Sequence, residues 1–149
     1  MTQPIYILNG PNLNLLGLRE PQLYGSTTLA QVEALCRRVT DALGMPCEFR
    51  QTNHEGVMVD WVQEAREKAA AVVINPAGLS FRSIPLLDAL KTLAQPLAEV
   101  HITNIHRRDE IYQKSLVSLA ATGVICGFGP FGYELAIRAV VERLAAPSI

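Results

Sequence analysis

Short apolar runs alternate with helical stripes along the chain. Ile5-Tyr6-Ile7-Leu8 is a β-rich run closed by Asn9-Gly10-Pro11. Leu29, Val32, Leu35, Cys36, Val39 and Leu43 then recur at helical spacing, with Gly44 placed to end the helix. Cys47 to Thr52 alternates apolar or neutral residues with Glu48 and Arg50, so this strand has one polar face and suits a sheet edge. Met58, Trp61, Val62, Ala65 and Ala69 form the next helical stripe, for which Asn53 is the expected N-cap. Val72-Val73-Ile74 reads as a buried strand ending at Asn75-Pro76-Ala77-Gly78. Leu86, Leu87, Leu90 and Leu93 follow on a helix that tolerates Pro85 in its first turn. Leu97 to Thr103 is a further strand, Arg107 to Lys114 a short helix and Val124-Ile125-Cys126 a fifth strand. Tyr133, Ala136, Ile137, Val140 and Leu144 mark the closing helix.

This alternation predicts an α/β fold, a parallel sheet with helices on both faces. Right-handed crossovers restrict the topology. Five strands favour the flavodoxin-like order 2-1-3-4-5, a three-layer sandwich with the alternating second strand at an edge. The pattern shows no repeat or interdomain linker, so one domain is expected over residues 1–149. Ligand chemistry belongs beyond the C-terminal strand ends.

Apolar residues make up 49% of the chain and charged residues 18%, which excludes a disordered polyelectrolyte. The net charge of −1 offers no electrostatic footprint for nucleic acid or an anionic membrane surface. No run has the length of a membrane span, and Met1 to Gln3 do not open a secretory leader. Cys36, Cys47 and Cys126 are odd in number and far apart. They read as small buried hydrophobes of a reducing cytoplasm, and as neither disulfides nor a zinc site.

The connection from Asn9 to Gly25 far exceeds the ~2–6 residues usual for a βα loop, and loops of this length are often lids. It carries Asn12, Arg19 and Tyr24 among Gly and Pro hinges. A plain surface loop with one packed tyrosine is the competing reading. Glu99 and His101 are two apart on a strand and share a face, so the carboxylate can fix the imidazole tautomer. An isolated pair of this kind can equally be a half-buried histidine beside a solvated glutamate. Arg107 and Arg108 follow at the same edge of the sheet, and Asn75 ends the third strand. His54 belongs to a helix start and His106 to a turn. Gly127-Phe128-Gly129-Pro130-Phe131-Gly132 matches G-x-G-x-x-G, but only the closing helix follows, without the strand and acidic residue of a dinucleotide site. It reads as a tight turn into a helix with Pro130 at the first helical position. No P-loop, HExxH, GxSxG or CxxC occurs, which favours cofactor-free acid–base chemistry, with neither metal nor cofactor.

These residues resemble the signatures of type II 3-dehydroquinate dehydratases. The resemblance is carried by Asn9 through Gly17, Arg19-Glu20-Pro21, Tyr24-Gly25, Gln51 through Gly56, Asn75-Pro76, Glu99-Val100-His101 and Asn104-Ile105-His106 with Arg108. Ala121 through Ile125 and Gly132-Tyr133 extend it over nearly the whole chain. The resemblance implies a flavodoxin-like fold, a homododecamer of four trimers, and cofactor-free elimination of water from 3-dehydroquinate through an enolate. It implies that Tyr24 is the base, that Arg19 stabilises the charged base with help from Arg108, and that Asn12 holds a water or the enolate oxygen. His101 is then the general acid oriented by Glu99, while Asn75 and the backbone around Ile102 and Thr103 hold the small-molecule substrate. A free phenol has a pKa of about 10, and desolvation alone would raise it, so neighbouring cations must favour the phenolate.

The likeness breaks at two places. The family's substrate-binding histidine is replaced by Phe81, beside Arg82, and its substrate-binding arginine by Tyr112. The family's aspartate is present as Asp88, which the resemblance implies reaches a neighbouring subunit. Phe81 either packs only or weakens recognition of the ring hydroxyls, with Arg82 able to take over a polar contact. A paralogue with drifted substrate preference and a non-catalytic or flavin-binding module therefore remain as alternatives.

Overall fold

The computed structural model describes residues 2–146. Met1, part of the stretch read for a leader, and residues 147–149 of the expected single domain lie outside the described residues. Five parallel strands form one sheet: β1 (Ile5–Asn9), β2 (Cys47–Gln51), β3 (Ala71–Asn75), β4 (Leu97–His101) and β5 (Gly123–Cys126). Their order is β2-β1-β3-β4-β5, the topology that the alternating pattern predicts. The helices are α1 (Pro21–Tyr24), α2 (Leu29–Ala42), α3 (Glu55–Lys68), α4 (Ile84–Leu90) and α5 (Phe131–Ala145).

Period-two alternation divides the sheet between two cores. Ile5, Ile7, Ala71, Val73, Ala98 and Val100 face α2 and α5. Tyr6, Leu8, Val72, Ile74 and Leu97 face α3 and α4. The three central strands β1, β3 and β4 are buried throughout, whereas β2 and β5 are partly exposed as the two edges. On β2, the polar face noted above is held by Arg50. It pairs with Glu64 at 2.7 Å and stacks over Tyr6 and Trp61.

Several local expectations are corrected. Asn53 does not cap α3; His54 stands at that position, and Asn53 turns its Oδ1 to the backbone N–H of Asn12 at 2.9 Å. The loop thus claims the side chain that the helix start would have used. Pro130 is the residue before α5, and the glycine-rich segment before it is a turn with Gly127 and Gly129 at positive φ. The segment Arg107 to Lys114 forms two separate 3-10 turns, Ile105–Arg107 and Glu110–Tyr112, in place of one helix. Strand β4 stops at His101, so Ile102 and Thr103 belong to the bend beyond it. Only Cys36 is a buried cysteine; Cys47 and Cys126 are half-exposed, and all three are free.

Candidate active site

The ends of β1, β3 and β4 place Asn9, Asn75 and His101 along one edge of the sheet. Asn9 and Asn75 are buried and joined by one phenol: Tyr133 donates to Asn9 Oδ1 at 2.7 Å and accepts from Asn75 Nδ2 at 2.9 Å. Burial holds the Tyr133 phenol protonated, far above the ordinary tyrosine range. This bridge fixes the floor of the site from α5, on the opposite side of the sheet from α3 and α4.

The long loop after β1 closes over that floor. Gly10 is required there, because a Cβ would meet the Pro76 carbonyl oxygen at 2.4 Å. Gln51 Nε2 donates to the Gly10 carbonyl at 3.1 Å and to Asn53 Oδ1 at 3.0 Å, and Asn53 holds Asn12. Asn12 sits in the left-handed region at φ 70°, as does Ala77 at φ 51°. Both line the cavity, and left-handed backbone costs a non-glycine residue roughly 1–2 kcal/mol. The loop then makes the one-turn helix α1, which ends at Tyr24.

A cavity of about 220 Å³ lies between this loop and the ends of β3 and β4. Its wall on one side is Arg19, Tyr24 and Arg108. The Arg19 and Arg108 guanidiniums lie 5.1 and 5.6 Å from the Tyr24 ring centre. On the other side, His101 Nε2 is hydrogen-bonded to Glu99 Oε2, which leaves Nδ1 for exchange with a ligand. Glu99 is fully buried and receives two more donors, Ser115 at 2.6 Å and Ser118 at 2.5 Å. Burial by itself pushes this carboxyl up. The hydrogen bonds from His101, Ser115 and Ser118, together with the His101 charge, outweigh burial and hold it below the ordinary carboxylate value. Glu99 is therefore a buried anion with donors on both oxygens, and the reading of a solvated glutamate is excluded.

Of the residues singled out in the sequence, Asn12, Arg19, Tyr24, Asn75, Phe81, His101, Ile102, Thr103, Arg108 and Tyr112 all line the cavity. Glu99 stands behind His101. Arg82 and Asp88 do not line it, and both are exposed. Phe81 faces the cavity and Ser83 turns inward to cap α4 and meet Glu55, so Arg82 between them is directed to solvent. Arg82 makes no contact with the cavity wall in the position that the missing histidine would hold. Phe81 instead stacks on His101 at 6.2 Å between ring centres and meets Tyr112 edge-on at 5.5 Å. Ser115 and Ser118 escaped the sequence reading, and Gln51 and Tyr133 entered it only as signature residues with no role in the site. Their spacing carries no signal; only the Glu99-x-His101 pair hinted that a buried carboxylate would need donors.

The chain matches the family model described as "Dehydroquinase class II" over residues 3–141. It is 55% identical to a 3-dehydroquinate dehydratase of Phenylobacterium zucineum, an alignment covering 93% of this chain and 96% of the relative. It is 54% identical to 3-dehydroquinate dehydratase 1 of Agrobacterium fabrum, covering 94% and 97%. Among solved structures it resembles the type II dehydroquinase of Propionibacterium acnes with a TM-score of 0.91 at 44% identity, covering 95% and 98% of the two chains.

Proposed function

The chain belongs to the class II dehydroquinase family, and we propose that it works as a 3-dehydroquinate dehydratase with Tyr24 as base and His101 as acid. One observation carries the assignment of roles: a tyrosine beneath two guanidiniums faces, across one small cavity, a histidine backed by a buried carboxylate.

Tyr24, as phenolate, takes the proton from the carbon next to the substrate ketone. The C–H electron pair moves into the enolate, whose oxygen is met by Asn12 or a water that Asn12 holds. The enolate then collapses to the ketone, the new C=C forms, and the C–O bond at the β-carbon breaks. His101 gives its proton to the departing oxygen, so that water leaves. Net transfer of the proton from Tyr24 to His101 through solvent restores both groups. Arg19 and Arg108 favour the phenolate because a cation near a partly dehydrated anion gains more than it does in bulk water. Glu99 keeps Nδ1 of His101 as the exchanging nitrogen. Asn75 and the backbone of Ile102 and Thr103 hold the substrate, with Phe81 and Tyr112 forming one wall. No step of this reading requires a metal or cofactor.

The assay is the ultraviolet absorbance of the enone formed from 3-dehydroquinate. Tyr24→Phe keeps the ring and removes the base. Turnover should fall by the ~10²–10⁴ of a general acid–base group, and near wild-type turnover would overturn the assignment. A colourless active protein also ends the flavin alternative.

The proposal extends to assembly and location. Asp88 is exposed on α4, as a residue reaching a neighbouring subunit must be. Strand β5 is an unpaired edge with an exposed Val124, beside an apolar groove of Ile125, Ala139 and Val140. These features favour the dodecamer of trimers over a monomer. Light scattering that finds a stable monomer would overturn the assembly and leave the reaction untouched. Three free cysteines suit a reducing cytoplasm. Among the described residues, no helix is long and apolar enough to cross a membrane.

A further inference from the structure

Arg108 is held by aromatic faces. Its guanidinium lies 4.1 Å from the Tyr112 ring centre on one side and 5.6 Å from that of Tyr24 on the other. Among the described residues its guanidinium has no carboxylate partner and no hydrogen bond. Only its backbone is bonded: the N–H donates to the Ile105 carbonyl at 3.3 Å and the carbonyl accepts from Gln113 Nε2 at 2.7 Å. The second 3-10 turn brings Tyr112 into place, with its N–H bonded to the Asp109 carbonyl at 2.9 Å. Phe81 then meets Tyr112 edge-on at 5.5 Å and continues to His101. A continuous aromatic row thus runs from the acid to the cation beside the base.

We propose that Tyr112 is a positioning residue: its ring seats Arg108 against Tyr24 and so favours the ionised base. The inference rests on the assignment of Tyr24 as base. A flexible, partly exposed arginine without an anionic partner would otherwise spread over many rotamers, and an aromatic face is the remaining means of holding it. Phe81 braces the Tyr112 ring by its edge-on contact. Phe81 and Tyr112 are therefore a coupled unit of the base's environment as well as a wall of the cavity. The hydroxyl of Tyr112 has no hydrogen-bond partner among the described residues, so the ring itself carries the effect.

The charged and titratable groups around Tyr24 are Arg19 on its own loop, Arg107 and Arg108 on the loop after β4, and His101 and Tyr112 across the cavity. Exposed Glu20 precedes its helix, and exposed Asp109 and Glu110 follow Arg108 in the chain.

The test compares Tyr112→Leu with Tyr112→Phe, using 3-dehydroquinate and the full pH profile of kcat and kcat/KM. Cation–π contacts of this kind predict a loss of about 2- to 30-fold in kcat for Tyr112→Leu. The ascending limb of its profile should move to higher pH, and Tyr112→Phe should retain the wild-type limb. In the Tyr24→Phe background, Tyr112→Leu should cause no further loss in kcat, because its route to the reaction is gone. Phe81→Leu serves as a second, milder variant and should move the limb in the same direction. A change confined to KM with an unmoved limb would overturn the proposal, as would equal damage from Phe and Leu at position 112. Full additivity in the Tyr24→Phe background would also overturn it. High activity of Tyr24→Phe alone would instead refute the assignment of the base, so the two failures are distinct.

Discussion

Ser118→Ala should reveal how the buried anion behind His101 is maintained. Glu99 has no exposed surface. Its Oε2 is shared by His101 and Ser115, whereas Oε1 receives Ser118 at 2.5 Å and no other donor among the described residues. Removing that hydroxyl leaves a carboxylate oxygen buried without a donor. A hydrogen bond to a charged group contributes about 1.5–3 kcal/mol, so stability at pH 7 should fall by about that amount. The loss belongs to the charged form. Glu99 is held below its reference value of 4.5, so its contribution is complete above that value and disappears as the pH falls through the lower, folded-state value. The gap between wild type and variant should therefore be widest at neutral pH and narrow in acid. The variant should also begin acid unfolding at a higher pH. Urea melts followed by circular dichroism at fixed protein concentration measure both. A gap that is absent at pH 7, or constant across the acid range, would refute the role given to Ser118.

Two other perturbations probe the remaining layers of the site. His101→Ala should cost about 10²–10⁴ in turnover, yet solvent deuterium should still enter the substrate's α-carbon, since proton removal belongs to Tyr24. Loss of exchange along with turnover would contradict that division of labour. Tyr133→Phe deprives the buried amides of Asn9 and Asn75 of their common partner, and should lower stability by at least ~1–3 kcal/mol in urea melts. Because Asn75 lines the cavity, KM should rise in the same variant, as steady-state assays would detect.

Replacing Phe81 and Tyr112 together by histidine and arginine looks, from the sequence, like restoration of substrate contacts. The geometry gives it a second consequence. An arginine at 112 would stand where the ring now lies 4.1 Å from Arg108, exchanging attraction for repulsion between like charges. The substitutions that read as losses are also parts that fit one another.

The chain's hydrophobic pattern by itself determined the succession of the five strands and the four longer helices, the five-stranded topology and the edge placement of β2. Each of these follows from which faces must leave water. Period two also placed Glu99 and His101 side by side, because local strand geometry leaves that pair no other arrangement. The long loop after β1 stood out by its length, and its Asn12, Arg19 and Tyr24 do line the cavity. The tertiary structure decided the partners. Ser115 and Ser118 lie 16 and 19 residues beyond Glu99, and Tyr133 lies 124 beyond Asn9. A hydroxyl forms its hydrogen bond wherever the fold delivers it and leaves no periodic trace in the sequence. The same holds for Arg108, which the family resemblance singled out but which the residue pattern alone could not rank against its neighbour Arg107. Its place between two rings is set by a 3-10 turn where a helix was expected, and by which side of that turn faces the cavity.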